Sequence, residues 1–186
     1  MSIGPFVLAW TAWGLYWLIS AARVKVTDRE ESGASRMTHL LPVVLGIAAF
    51  NPALGAGWLN ERLLPVGPAS HWTGVVLLFA GLGFACWARA ILGGNWSSTV
   101  TIKSGHELIR TGPYRFVRHP IYTGLLTAFL GGAIAQGLLR SFLGFGLVTA
   151  AAVIKLSIEE SMLRERFQDE YLRYRKQVAA LIPGVF

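Results

Sequence analysis

The sequence predicts an all-α integral membrane fold with about five transmembrane helices, a C-terminal helical hairpin and an amphipathic helix after it. Three observations carry that prediction. Of 186 residues, 53% are hydrophobic and only 15% charged, where a soluble domain is nearer a quarter charged. Mean hydropathy is positive, at +0.48. Apolar runs of spanning length recur along the whole chain, which therefore reads as one membrane domain, 1–186.

A spanning helix needs about 20 apolar residues, because the hydrocarbon core is about 30 Å thick and a helix rises about 1.5 Å per residue. The first run, Ile3 to Ala22, is preceded by no Lys or Arg and followed by no A-x-A site, so it reads as a retained helix rather than a cleaved signal. The second, Thr38 to Leu59, contains Pro42 and Asn51-Pro52, which should bend or interrupt it. The third is Trp72 to Leu92, and residues 1–92 hold these three spans. A polar loop, 93–120, follows. Ile121 to Leu138 and Ser141 to Ile158, joined by Leu139 and Arg140, read as an antiparallel hairpin over 121–158. Glycines at 124, 131, 132, 137, 144 and 146 suit close helix packing in an apolar medium. In 159–186, Leu163, Phe167, Tyr171, Tyr174 and Val178 fall on one helical face. The pairs Glu160–Arg164 and Asp169–Arg173 support an amphipathic helix continuing the last span, ended by Pro183 and Gly184.

A pI near 10.1 could point to nucleic acid, but the charges are arranged for topology. All but two of the 17 basic residues lie in the loop Arg23–Met37, at Arg89, in the loop 93–120 or from Lys155 onward. Five spans then put the N-terminus outside and both long loops and the C-terminus in the cytoplasm. The expected location is a bacterial inner membrane, with membrane lipids as surroundings and no nucleic-acid partner. Cys86 is the only cysteine, so no disulfide or CxxC motif exists. His106 and His119 lack companions for a metal site.

Polar chemistry collects in "NWSSTVTIKSGHELIRTGPYRFVRHPIYTG" and in "KLSIEES". The hairpin brings His119 to Tyr122, at the start of one helix, beside Lys155 to Glu160, at the end of the other. Each residue also has a plainer reading. Arg110, Arg115 and Arg118 taken singly are topology and headgroup anchors, and Tyr114 and Tyr122 could be interfacial aromatics. Lys155, at the foot of an apolar span, is either functional or snorkelling, with Glu159 and Glu160 within a turn to neutralise it.

"GHELIRTGPYRFVRHPIYTG", followed after a hairpin by "EE", F-x-x-E-Y-x-x-Y and "IPG", resembles the isoprenylcysteine carboxyl methyltransferase family and its phospholipid methyltransferase relatives, over residues 93 to 184. The resemblance implies a membrane enzyme that moves a methyl group from S-adenosyl-L-methionine to a hydrophobic or lipid-borne acceptor. It implies that His106, Glu107, Leu108 and Ile109 hold the adenosine part. Tyr114, His119, Pro120, Ile121 and Tyr122 continue the pocket, Glu159 contacts the cofactor, and Thr101 lies near a further cofactor position. Lys155 stands where the eukaryotic prenylcysteine enzymes carry a substrate-binding Arg, and it keeps the charge without the planar grip on a carboxylate. His119, Lys155 and Glu159 are the expected catalytic group. A carboxylate, an amine or a thiol could be the acceptor, and His119 or Glu160 would be the base if one is needed. Two other readings are an NADPH-dependent membrane reductase of related fold and a non-catalytic scaffold.

Overall fold

The computed structural model describes residues 4–21, 27–55, 57–65, 67–96, 101–103 and 108–185. Five helices run through them: α1 (Pro5–Ala21), α2 (Gly33–Ala48), α3 (Pro68–Leu92), α4 (Pro120–Gln136) and α5 (Leu139–Gln177). The 25 residues of α3 and the first half of α5 are long and apolar enough to cross a membrane, and α1 is a shorter apolar helix of 17. α3 packs along α4, α2 along α5, α4 against α5 and α1 against α3.

Outward faces are apolar, as lipid requires: Leu18 and Ile19 on α1, Leu41 and Val44 on α2, and Val76 and Phe79 on α3 are all more than half exposed. With both surroundings apolar, close backbone packing must hold the helices together. Gly81 and Gly124 provide it between α3 and α4, where a Cβ on either would collide with the other's carbonyl oxygen.

Three expected boundaries differ. α2 begins at Gly33, capped by the Ser32 hydroxyl accepting from the Ser35 N–H, and it ends at Ala48. Asn51-Pro52 therefore stops the second span instead of bending it, and Pro52–Leu54 and Gly57–Asn60 are short 3-10 turns. The hairpin turn is Gly137-Leu138, with Gly137 at φ 64° in the left-handed region that favours glycine. Leu139 and Arg140 lie instead in the first turn of α5.

The third difference is at the C-terminal end. α5 breaks at Gln168, where φ is 44° and ψ −122°, so the helix does not simply continue along the interface. The last turns carry Tyr171 and Tyr174 into the protein, where both are buried. The helix ends at Gln177, before Pro183 and Gly184. The expected Glu160–Arg164 ion pair is replaced by a 3.3 Å bond from Arg164 Nε to the Glu160 carbonyl, because the Glu160 carboxylate is engaged elsewhere. A small antiparallel ribbon of β1 (Thr27–Glu30) and β2 (Thr101–Lys103), unforeseen in the sequence, ties the two long loops together.

Candidate functional site

α4 starts at Pro120, whose missing N–H costs nothing at the first helical position. That start points His119 and Tyr122 at the part of α5 where Lys155, Glu159 and Glu160 follow one another within a turn and a half. The Tyr122 hydroxyl donates to Glu159 Oε1 at 2.5 Å. His119 Nδ1 lies 3.5 Å from Glu159 Oε2, and its Nε2 lies 3.3 Å from Glu160 Oε1. Lys155 Nζ is 6.0 Å from the centre of the Tyr122 ring. One imidazole thus bridges two consecutive carboxylates.

Arg118 locks this arrangement. Its Nε and Nη2 donate to Glu160 Oε1 at 2.9 and 2.7 Å, and its Nη1 donates to the Arg175 and Val178 carbonyls. Both side chains of the pair are more than nine-tenths buried. The segment after α5 completes the frame: the N–H groups of Arg118 and His119 donate to the carbonyls of Ala179 and Ala180, and the Thr123 hydroxyl donates to that of Leu181. The Tyr174 hydroxyl donates to the Tyr114 carbonyl at 2.5 Å, fastening the last turns of α5 to the same loop.

Electrostatics follow from these contacts. Burial disfavours ionised Glu160, but hydrogen bonds from His119 and Arg118 and their charges outweigh it and hold the carboxyl at about 2. Glu159 is lowered too, as the His119 bond and charge, Lys155 and Tyr122 together exceed its burial penalty. Burial works against a charged His119, yet the two glutamates prevail and raise it above the ordinary histidine value. Tyr114 is pushed up, by burial first and by Glu159 second. The cluster therefore favours two carboxylates with a protonated imidazole between them.

The structure brings Tyr114, His119, Pro120, Ile121, Tyr122, Lys155, Glu159 and Glu160 into one region. Leu108 and Ile109, half-buried, lead into it. Thr101 begins β2, its backbone paired with that of Glu30 and its strand lying against α5. His106 and Glu107 lie outside the described residues. Among those residues no group of His, Cys, Asp and Glu could hold a metal ion.

Two features were missed. Arg118 is a buried partner rather than a surface anchor, and nothing in its sequence neighbourhood separates the two roles. His39 and Glu31 form a second buried pair, Nε2 to Oε1 at 3.0 Å with side chains 7% and 1% exposed respectively, close enough for Glu31 to act electrostatically on Tyr122. Eight residues apart across the start of α2, they have no spacing that would reveal them.

Below the cluster, about 750 Å³ of space opens between the five helices, lined by Trp10, Ile47, Phe50, His71, Leu125, Phe129 and others, with Tyr122 at the end nearest the cluster. Tyr122 is thus shared: its hydroxyl belongs to the Glu159 carboxylate and its side chain to an apolar cavity inside the helices.

Residues 69–170 match the family model described as phospholipid methyltransferase. Methanethiol S-methyltransferase 1 of Bradyrhizobium diazoefficiens is 38% identical over 38% of this chain and 24% of its own. The protein-S-isoprenylcysteine O-methyltransferase of Schizosaccharomyces pombe is 33% identical over 56% of this chain and 48% of its own. A probable protein-S-isoprenylcysteine O-methyltransferase of Oryza sativa subsp. japonica is 30% identical over 68% and 70% respectively. The chain spans a quarter to a half of the length of the first two relatives. Among solved structures, the eukaryotic intramembrane Ras methyltransferase, isoprenylcysteine carboxyl methyltransferase, shares the fold, with a TM-score of 0.54 at 21% identity over 100% of this chain and 70% of that one.

Proposed function

Because the chain belongs to the phospholipid methyltransferase family, we propose that it is an S-adenosyl-L-methionine-dependent membrane methyltransferase whose acceptor carries an apolar tail. One observation carries this reading: Tyr122 joins a charged cluster at one end of the bundle to an apolar cavity within it. A soluble donor and a lipid-borne acceptor can meet only where those two environments touch.

The residues present fit the donor. Glu159 stays ionised and its side chain is a quarter exposed, which suits the donor's ammonium and draws a sulfonium. His106, Glu107, Leu108 and Ile109 hold the adenosine end. Thr101, Tyr114, Pro120 and Ile121 continue the wall, and His119 and Tyr122 orient Glu159. When bound, S-adenosylmethionine supplies an electrophilic methyl on a sulfonium, which an acceptor heteroatom takes with its own lone pair, leaving a neutral thioether.

This chain supplies position, charge and dryness rather than a covalent nucleophile. Glu160, held at about 2 and bound by Arg118, takes no proton at neutral pH. His119, raised above the ordinary histidine value by the two glutamates, already carries its proton over more of the neutral range and is less available to take another. An acceptor that arrives ionised, a carboxylate or a thiolate, fits this cluster better than an amine that must first lose a proton. Lys155, whose Nζ is 6.0 Å from the centre of the Tyr122 ring, draws that anion to the methyl. The basic end faces the cytoplasm of a bacterial inner membrane, as the distribution of Lys and Arg directs.

Detergent-purified protein incubated with labelled S-adenosylmethionine and membrane extract, with products resolved by mass spectrometry, tests the proposal. Labelled hydrophobic product, lost in Glu159→Gln and His119→Ala, is the expected result. Binding of NADPH with no binding of S-adenosylmethionine would overturn it.

A further inference from the structure

The cavity has a spine. Tyr122, Leu125, Leu126, Phe129, Gly132 and Gln136 line it at spacings of three and four, one face of α4. Its length along α4, from Tyr122 to Gln136, is about 21 Å at 1.5 Å per residue. Its volume, about 750 Å³, lies in the range of pockets that enclose one small ligand. Length and volume together describe a slender slot.

The far end of the slot holds Gln136, but that amide is already occupied. Its Nε2 donates to the Phe50 carbonyl at 3.2 Å and its Oε1 accepts from the Ser141 hydroxyl at 2.6 Å. His71 of α3 lines the cavity as well, its ring packed edge-on against Phe6 and Trp72. Half-way along, three rings converge. Phe129 of α4 lies 4.9 Å from Trp10 of α1 and 5.6 Å from Phe50, just beyond α2, centre to centre. Phe50 also fills the space beside Gly132, where a Cβ would stand 3.2 Å from its Cε1. Seven residues, about 10 Å, separate Phe129 from Tyr122.

We propose that the acceptor carries a single apolar chain lying tail-first along α4, and that Phe129, braced by Trp10 and Phe50, sets how long that chain can be. The inference rests on the methyltransferase reading. A chain ending short of the rings leaves dry space unfilled, so each added methylene buried there raises kcat/KM about fourfold. A chain that would go on past Phe129 toward the Gln136 end must move a ring packed against Trp10 and Phe50, and the gain per methylene falls off there.

The experiment uses full-length protein in detergent with two acceptor series, n-alkanethiols of increasing length and S-prenylcysteines of one to four isoprene units. Labelled S-adenosylmethionine binding is measured on the same samples as a check on folding. The wild type should gain about fourfold per methylene up to a limit. Phe129→Ala should move that limit to longer chains, Phe129→Trp to shorter ones, and Phe129→Leu should make a smaller shift than Ala, all in KM more than in kcat. The same limit in every variant, with donor binding intact, overturns the length gauge. Better transfer to phosphatidylethanolamine in vesicles than to either series overturns the single chain. Failure to bind S-adenosylmethionine at all defeats the underlying reading instead, and is told apart by that binding measurement.

Discussion

The α4–α5 hairpin has a buried arginine at each end, and the two are spent differently. Arg118, just before α4, is bound to the Glu160 carboxylate, which in turn faces His119. Arg140, in the first turn of α5, donates to the Asn60 side-chain oxygen at 3.0 Å and to the Ala49 carbonyl at 2.6 Å. It caps the end of α2 and fastens the turn, a task that neutral acceptors accomplish. The Arg118 end is held by a carboxylate and an imidazole, whereas the Arg140 contacts are to neutral oxygens whose state does not change with pH.

The largest effect that tests this contrast is Arg118→Ala. It removes the main partner of a buried carboxylate, which keeps His119 at 3.3 Å and Arg175 at 3.5 Å, and thermal unfolding in detergent should show a loss of about 3 kcal/mol. Replacing the pair together, Arg118→Met with Glu160→Leu, should restore most of that stability while donor binding stays impaired. Recovery of binding as well would show that the ion pair is scaffolding only. Arg140→Ala should cost less, about 1.5–3 kcal/mol for its hydrogen bonds, with S-adenosylmethionine affinity unchanged by calorimetry. A weakened affinity there would erase the distinction between the two ends.

Glu159→Gln should fold normally and bind the donor about tenfold more weakly, the worth of one charge-assisted hydrogen bond. Equal binding would remove Glu159 from the site. The smallest effect is the pH profile. Glu160 is lowered from 4.5 to about 2, so its stabilisation is present above pH 4.5 and is lost as pH falls toward 2. His119 is raised above 6.5, so its contribution is full below pH 6.5 and fades as pH rises through the folded value. Unfolding followed across pH should show both limbs in the wild type and in Arg140→Ala, and a smaller acid limb, that of Glu159, in the Arg118→Met, Glu160→Leu protein.

The helices were legible because lipid demands continuous apolar runs, and the site was legible because a hairpin of two matched helices must bring its open ends together. His119, Tyr122, Lys155 and Glu159 met on that ground alone. What stayed hidden depends on tertiary contact. Arg118 reads in sequence like any loop arginine until α5 delivers Glu160 to it. Glu31 and His39 pair only after α2 begins at Gly33 and packs along α5. The break at Gln168 carries no Gly or Pro to announce it, and strands of four and three residues are too short to show a period.

The segment Val178–Leu181 also bears on the order of synthesis. Arg118 and His119 leave the ribosome well before Ala179, Ala180 and Leu181, the residues whose carbonyls receive the Arg118 and His119 N–H groups and the Thr123 hydroxyl. Glu160, and after it the Val178 carbonyl that Arg118 also holds, must follow as well. A nascent chain that has inserted α4 therefore has a binding site still open to water and without its frame. The frame of the candidate site is complete only once Val178–Leu181 has emerged, long after the loop that it holds.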